Sequence, residues 1–119
     1  MRHTYCLITF FSGDKNIKIG KLGKINFKKG YYIYVGSAPS LARIERHYRR
    51  KKRVKWHIDH LLKKARIIGF SLSRKKECGV ARKLSKNFSS ISRFGSSDCK
   101  CRSHLFYSRS LKKIKNLLG

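Results

Sequence analysis

Acidic residues are scarce in this sequence, and their scarcity restricts the chemistry that the chain can perform. The 119 residues contain 5 Asp and Glu against 31 Lys and Arg, which gives a formal net charge of +26. Two-metal nucleases and glycosidases usually need several carboxylates close together. The acidic residues here lie far apart in the sequence: Asp14, Glu45, Asp59, Glu77 and Asp98. If the chain is an enzyme acting on phosphate, one carboxylate holding one metal ion is the arrangement to expect.

Proline is nearly absent, and long apolar runs and secretory features are missing. With 1 Pro and 9 Gly, the composition is not that of a collagen or a flexible linker. No apolar run approaches the roughly 18 residues of a membrane span, and the N-terminus lacks the apolar core of a signal peptide. We therefore expect a cytoplasmic protein. Its length suits a single domain over residues 1–119, and 40% hydrophobic residues can form a small core.

Basic residues are in excess, and many are adjacent in the sequence. Their mutual repulsion destabilises a compact chain unless a polyanion offsets it, and nucleic acid is the commonest such partner. We expect DNA, with RNA as the alternative and no membrane. The residues expected to contact nucleic acid are Arg46, Arg49, Arg50, Lys51, Lys52, Arg53, Lys55, Lys75 and Lys76. Contacts of this kind to the phosphate backbone carry little base specificity.

Apolar patterning predicts an α/β (α+β) fold with a small antiparallel β-sheet of about three central strands flanked by helices. Alternating runs predict strands over residues 5–11, 17–19, 31–35, 67–72 and 105–107. Helical spacing predicts helices over residues 41–48, 56–65, 77–86 and 111–118. Short turns between the first three strands favour an antiparallel meander, and Gly36 is expected to end the third of them.

Cysteine and histidine residues cluster near the C-terminus. Cys99, Cys101 and His104 are closely spaced, and Cys78 could supply a fourth ligand for a tetrahedral zinc ion. The alternatives are buried thiols with His104 hydrogen-bonded nearby, or a catalytic use of Asp98 or His104. Cys6 lies in an alternating apolar strand and is expected in the core. For His57 and Asp59, a capping or core hydrogen bond is expected.

Several ordered motifs resemble one known family. Tyr34-Val35-Gly36-Ser37-Ala38 precedes Arg43-Ile44 and Arg46-His47, and Trp56-His57-Ile58-Asp59, Glu77-Cys78 and Ser97-Asp98-Cys99-Lys100-Cys101-Arg102-Ser103-His104-Leu105-Phe106 follow. This series resembles the GIY-YIG nuclease superfamily, and specifically its small stand-alone branch described as domain of unknown function 123. The resemblance covers nearly the whole chain. It implies a GIY-YIG-like fold and a metal-dependent endonuclease that hydrolyses phosphodiester bonds in DNA.

The resemblance also implies roles for particular residues. Tyr5 and Tyr34 are similar to the two signature tyrosines, one of which would activate water. Arg43 is similar to the catalytic arginine, and His47 lies one helical turn later at a position that often holds His or Tyr. Glu77 would bind Mg²⁺ or Mn²⁺. A tyrosine base needs a pKa below its usual value of about 10, and we expect the cationic surroundings and the metal to lower it.

Each of these residues also has a structural interpretation. Tyr34 could be an ordinary strand aromatic, Arg43 and His47 solvated helix residues, and Glu77 an acid that stabilises a helix N-terminus. Their joint occurrence in family order favours the nuclease. The competing classes are a DNA- or RNA-binding module without catalysis, stabilised by zinc, and a basic ribosome-associated protein.

Overall fold

An antiparallel sheet forms the centre of the computed structural model, which describes residues 3–49, 52–95 and 101–118. In chain order the elements are β1 (His3–Phe11), β2 (Lys15–Lys18), β3 (Lys24–Phe27), β4 (Gly30–Ala38), α1 (Leu41–Tyr48), α2 (His57–Leu61), β5 (Arg66–Ser73), α3 (Glu77–Ser85), β6 (Ser89–Ser90), β7 (Leu105–Ser108) and α4 (Leu111–Leu118). The main sheet has five strands in the order β5-β1-β4-β7-β6. The predicted fold class, an antiparallel sheet flanked by helices, is confirmed.

The first strands do not form the predicted meander. β1 pairs directly with β4 on one side and with β5 on the other, while β2 and β3 form a separate hairpin. Ile17 and Phe27 of the hairpin, with Ile19 just after β2, are buried in the same hydrophobic cluster as Leu7 of β1. The hairpin therefore covers one face of the sheet instead of extending it. Alternating apolar residues predict a strand but not the strand that pairs with it.

β4 is longer than the sequence predicts, and its last residues matter for the site. The predicted break at Gly36 is wrong, because the strand continues to Ala38. β1 supplies partners over this whole length, and its Tyr5 lies opposite Gly36. The extension brings the Tyr-Val-Gly motif and the start of β1 to the same end of the sheet.

The helices follow the predicted pattern with one exception. α1, α3 and α4 lie where the apolar spacing places them, and Val80, Ala81 and Leu84 of α3 are buried as predicted. α2 covers only residues 57–61 rather than the predicted 56–65, because the chain turns after Leu61 to begin β5. Among the described residues, no helix has the length and apolar character needed to cross a membrane.

The two faces of the sheet carry separate hydrophobic clusters. One cluster joins Tyr5, Leu7 and Tyr34 to Ile44 of α1 and Ile58 of α2. The other contains the alternate strand residues and the buried side of α3 and α4: Cys6, Ile33, Val35, Val80, Ala81, Leu84, Phe106 and Ile114. Cys6 is thus a core residue, as predicted. α1 and α2 cover the face that carries the two tyrosines, and α3 and α4 cover the opposite face.

β5 is an outer strand with an apolar row open to solvent. Ile68, Phe70 and Leu72 alternate along it, and 38%, 43% and 51% of their surfaces are exposed. One side of β5 pairs with β1, and β5 stands at the end of the strand order. This edge of the sheet therefore combines backbone hydrogen-bonding groups with exposed apolar side chains.

Candidate functional site

Two tyrosines and a histidine form a buried cluster on the α1 face of the sheet. Tyr5 Oη lies 2.7 Å from His47 Nε2. The ring centroids of Tyr5 and Tyr34 are 6.3 Å apart, and those of Tyr34 and His47 are 6.2 Å apart. All three residues are at most 9% exposed. The structure therefore brings together three of the side chains predicted to be catalytic.

Strand pairing and α1 hold this cluster in place. Tyr5 lies opposite Gly36, and a Cβ atom on Gly36 would be 2.4 Å from Cζ and Oη of the Tyr5 ring. The absent side chain of Gly36 therefore provides the space that the phenol occupies. His47 lies one turn after Arg43 on α1 and reaches the phenol from the helix side.

The protonation states of the cluster are set mainly by burial. Burial raises the pKa of Tyr5 well above its usual value, and the Arg43 charge only partly opposes this. Burial also raises the pKa of Tyr34. The expectation that surrounding cations lower the tyrosine pKa values is wrong in this structure, because desolvation outweighs their charge. Burial, with the nearby Lys52 charge, lowers the pKa of His47 to about 4, so the three side chains are neutral at pH 7.

Arg43 lies beside the cluster on α1. Its Nη1 donates a hydrogen bond of 2.6 Å to the carbonyl oxygen of Ser37, and its guanidinium lies 5.2 Å from the centre of the Trp56 ring. The Arg43 charge lowers the pKa of both Tyr5 and Tyr34 against the larger effect of burial, so the guanidinium is within electrostatic reach of both phenols. A guanidinium has five N–H groups, so Arg43 can contact acceptors besides the Ser37 carbonyl oxygen.

Arg46, Trp56 and Asp59 form a second polar group next to the cluster. Arg46 Nη1 and Nη2 donate to the two oxygens of Asp59 at 2.9 and 3.1 Å, and the guanidinium stacks 4.4 Å from the Trp56 ring centre. Asp59 Oδ2 also accepts from the backbone N–H groups of Lys55 and Trp56. Burial acts to raise the pKa of Asp59, but these hydrogen bonds lower it overall. The expected capping role of Asp59 is confirmed. Arg46 links the Asp59 carboxylate to the Trp56 ring by contacting both.

His57 makes a core hydrogen bond, as expected. Its Nδ1 accepts from the backbone N–H of Gly95 at 2.9 Å. Gly95 also lies against Tyr34, since a Cβ there would be 2.9 Å from Tyr34 Cε1. The segment around Gly95 thus closes the cluster on the side of α2.

Glu77 reaches the same end of the sheet from α3. Its Oε1 lies 2.9 Å from His104 Nδ1, and this nitrogen is also 3.1 Å from the carbonyl oxygen of Val35. The Glu77 charge raises the pKa of both Tyr5 and Tyr34, so the carboxylate is within electrostatic reach of the phenols. A carbonyl oxygen and an ionised carboxylate cannot donate, so we assign the proton of His104 to Nδ1.

Three of the four predicted zinc ligands lie together. The ligand atoms of Cys78, Cys101 and His104 are all within 4.8 Å of one another, so these residues could hold a metal ion. Cys99 and Asp98 lie outside the described residues. Cys78 and Cys101 are half-buried, which differs from the alternative of fully buried thiols. Because Nδ1 of His104 carries a proton, Nε2 holds the lone pair that a metal ion requires.

Two of the predicted basic residues lie beside His47 on the α1 face. Arg49 and Lys52 line a pocket beside His47, together with three cations that the sequence analysis did not select, Lys63, Lys64 and Arg66. The sequence alone could have indicated these three cations, because they form a short basic run directly after α2. Arg50 and Lys51 lie outside the described residues. Arg53 and Lys55 contact Arg46 and Asp59 through their backbone, and Lys75 and Lys76 precede α3. Binding of nucleic acid by any of these residues stays a prediction.

Comparison with known proteins identifies the chain only at the level of a family. Neither the curated proteins nor the solved structures contain a match. The ordered motifs run from Tyr5 to Phe106, which agrees with a match over almost the full length. Over residues 4–118 the chain matches the family described as domain of unknown function DUF123, and it belongs to that family.

Proposed function

We propose that this protein is a cytoplasmic, metal-dependent endonuclease that hydrolyses phosphodiester bonds in DNA. The observation that carries the proposal is the buried cluster of Tyr5, Tyr34 and His47. Arg43 lies one turn before His47 on α1, and the charges of Arg43 and Glu77 are within electrostatic reach of both phenols. The resemblance of the same residues to the GIY-YIG motifs supports it. The excess of cations supports a polyanionic substrate.

Tyr5 is the tyrosine that we propose as the base, because it has a partner for its own proton. A water molecule attacks phosphorus as its proton passes to Tyr5 Oη, and the phenolic proton passes to His47 Nε2. The bond from phosphorus to the leaving oxygen breaks, and that oxygen takes a proton from solvent. This relay avoids a free phenolate, which the buried site would disfavour. The proton that His47 accepts has to be offset by the anionic substrate, since burial and the Lys52 charge lower the pKa of His47.

Arg43 and Tyr34 have supporting roles in this scheme. The guanidinium of Arg43 can contact two phosphoryl oxygens with its parallel N–H groups and stabilise the charge that develops on them. Tyr34, whose ring contacts those of Tyr5 and His47, would orient the water molecule or the phosphate by hydrogen bonding. Both roles require the geometry to be rigid, and burial of the cluster provides that.

Glu77 fits the requirement for a divalent cation ligand. Mg²⁺ is commonly held by one or two carboxylates together with water and phosphate oxygens. The Glu77 side chain is 33% exposed at the start of α3, while both oxygens of Asp59 are already bonded to Arg46. When bound, Mg²⁺ or Mn²⁺ would supply a Lewis acid that stabilises charge on the phosphate.

The proposal is tested by cleavage of supercoiled plasmid with Mg²⁺, with Mn²⁺ and with EDTA. Metal-dependent nicking is expected for the wild type, and Tyr5→Phe and Glu77→Gln should each reduce its rate by about 100-fold or more. Tyr107→Phe and Glu45→Gln are matched controls. Tyr107 is half-buried on β7 and bonds the carbonyl oxygen of Lys29 rather than His47, and Glu45 is exposed on α1. Circular dichroism confirms that each variant is folded.

The competing function is a DNA- or RNA-binding module without catalysis. A wild-type protein that binds oligonucleotides but nicks plasmid with neither metal would support this module and contradict the nuclease. Equal cleavage by the wild type and both site variants would also contradict the proposed roles of Tyr5 and Glu77.

A structural zinc ion is a second proposal, favoured by the Cys78, Cys101 and His104 cluster. Thiolate and imidazole ligands are the set that zinc prefers, and a zinc-binding histidine usually donates its other N–H to a carboxylate or a carbonyl oxygen. His104 Nδ1 has both kinds of acceptor within hydrogen-bond distance, the Glu77 carboxylate and the Val35 carbonyl oxygen. Elemental analysis should find one zinc per chain in the wild type and in Cys6→Ala, and none in Cys101→Ser.

A further inference from the structure

A cationic pocket lies against His47. Its cavity has a volume of about 550 Å³, which is within the usual size range of ligand pockets. The side chains that line it include His47 and five cations: Arg49, Lys52, Lys63, Lys64 and Arg66. Asp59, the acidic residue that also lines it, is neutralised by its ion pair with Arg46. We call this cavity the His47 pocket.

His47 lines this pocket, and one of its ring nitrogens is unsatisfied in the described part of the chain. The residue is only 2% exposed, and its Nε2 is occupied by Tyr5 Oη at 2.7 Å. Its Nδ1 is buried and has no hydrogen-bond partner in the described part of the chain. A buried polar atom without a partner destabilises the folded state, so such atoms in folded proteins usually contact a ligand or an ordered water molecule.

The charge of the pocket defines the ligand that would satisfy this atom. Lys52 is held at the rim by the carbonyl oxygen of His47, with Nζ at 2.7 Å, and the exposed Lys63 and Lys64 extend the positive field. A group with several acceptor oxygens and negative charge matches these donors, and a phosphate has both properties. An anion also suits a pocket that is lined by five cations and by a histidine whose Nδ1 can carry a proton.

We propose that the His47 pocket binds a phosphate of the nucleic acid strand other than the one that is cleaved, and that His47 Nδ1 donates a hydrogen bond to it. This inference deepens the proposed function and rests on it for the identity of the ligand as nucleic acid. It assigns Lys63 and Lys64 to substrate binding, and it gives His47 a positioning role in addition to its contact with Tyr5.

The bound phosphate would also determine which tautomer His47 adopts. A neutral imidazole carries one proton, and donation from Nδ1 leaves the lone pair on Nε2. Nε2 then accepts the hydrogen bond from Tyr5, which is the direction that the proposed proton relay needs. A strand seated in the pocket therefore prepares Tyr5 to act on the neighbouring phosphate.

A paired set of charge variants tests the pocket. Lys63→Gln/Lys64→Gln removes two pocket cations, and Lys112→Gln/Lys113→Gln removes two exposed cations from α4, on the opposite face. Affinity for a duplex oligonucleotide is measured in EDTA over a range of salt concentrations. The pocket variant should make the slope of log affinity against log salt shallower by about 1 to 2, and the α4 variant should leave it unchanged.

The ¹⁵N resonance of His47 Nδ1 provides a second readout. Duplex and inorganic phosphate should each shift it toward the protonated-nitrogen range in the wild type and the α4 variant, but not in the pocket variant.

Equal salt slopes for both variants, or no shift with duplex, would overturn the proposal. A shift with inorganic phosphate alone would assign the pocket to a free phosphate and overturn its assignment to a strand. Both measurements are made without a divalent metal, so a protein that passes them but does not nick plasmid contradicts only the proposed function.

Discussion

Gly36 faces Tyr5 across two paired strands at a separation that leaves no space for a side chain. The contact explains the glycine of the Tyr-Val-Gly motif in terms of packing, because a Cβ atom would lie 2.4 Å from the phenol ring. Gly69 on β5 is a useful comparison, since a Cβ atom there would meet nothing within 4 Å. The two glycines occupy the same sheet, but packing requires a glycine at position 36 and not at position 69.

This difference predicts opposite effects of the same substitution. Gly36→Ala should reduce the free energy of unfolding by about 1–3 kcal/mol, because either the Tyr5 ring or the backbone has to move. Gly69→Ala should leave it unchanged or raise it by about 0.5 kcal/mol, since alanine suits a strand better than glycine. Urea denaturation of both variants measures the effect. Equal stabilities would show that the ring moves aside at no cost.

The stability of the folded protein should depend on pH through His47. Its pKa is about 4 in the folded chain and about 6.5 when unfolded, so between these pH values only the unfolded chain binds the proton. Stability should therefore fall as the pH drops from 6.5 to 4, by up to roughly 3 kcal/mol. His57, whose pKa burial also lowers, adds to the loss in the same direction.

Urea denaturation between pH 4 and pH 7 tests this dependence. His47→Asn should make the curve flatter without making it level, because His57 still titrates. His3→Asn, at an exposed residue, is the control and should keep the wild-type curve. A His47 variant with the wild-type pH dependence would contradict the assignment.

At the scale of helices and strands, local patterns predicted the elements but not their partners. The apolar spacing of α1, α3 and α4 is enough to place them, since each buries one stripe against the sheet. The β2–β3 hairpin was predicted only in part, because its residues alternate like those of a sheet strand although they pack over one face. α2 is shorter than predicted because the chain turns after Leu61, while Asp59 fixes its first turn by accepting from the Trp56 backbone.

The contacts within the candidate site were beyond local prediction for the same reason. Tyr5 and His47 are 42 residues apart. Their hydrogen bond exists only because α1 packs on the face of the sheet that carries the Tyr5 side chain. The family motifs indicated which residues belong together, but not that His104 donates to Glu77 or that the phenols are too buried to ionise easily. Burial depends on the packing of the whole chain, which the sequence pattern does not contain.

The Cys/His cluster connects two elements that are distant in the sequence. Cys78 lies in the first turn of α3, while Cys101 and His104 lie just before β7. A bound metal would join these two elements directly. Removing it with a chelator should lower the free energy of unfolding by roughly 3 kcal/mol, which corresponds to about 10 °C or more in melting temperature for a chain of this size.

Thiol alkylation measures the same event at each cysteine. Chelation should expose Cys78 and Cys101 to modification, while Cys6 stays protected in the second hydrophobic cluster. Mass spectrometry before and after chelation distinguishes the three thiols. Identical labelling and an unchanged melting temperature would contradict a metal at this cluster.

At the scale of the whole molecule, the surface charge is almost entirely uncompensated. Four acidic residues lie in the described ranges. Asp59 pairs with Arg46, Glu77 contacts His104, Asp14 accepts from the backbone of Lys29, and Glu45 is exposed on α1. So few acids leave a net charge of +26 to act on the surroundings. A charge of this size would speed the encounter of the protein with a polyanion, which is the substrate class that we propose.

The apolar row on β5 has a consequence for how the protein behaves in concentrated solution. Outer strands with exposed hydrophobic side chains tend to pair with one another, and in this chain electrostatic repulsion opposes that pairing. Added salt screens the repulsion, so solubility should fall and light scattering should rise between low and high ionic strength. Phe70→Lys should prevent the rise, whereas Leu41→Lys, at an exposed apolar residue of α1, should not. Colloidal stability of the free protein would then depend on the same cations that attract its substrate.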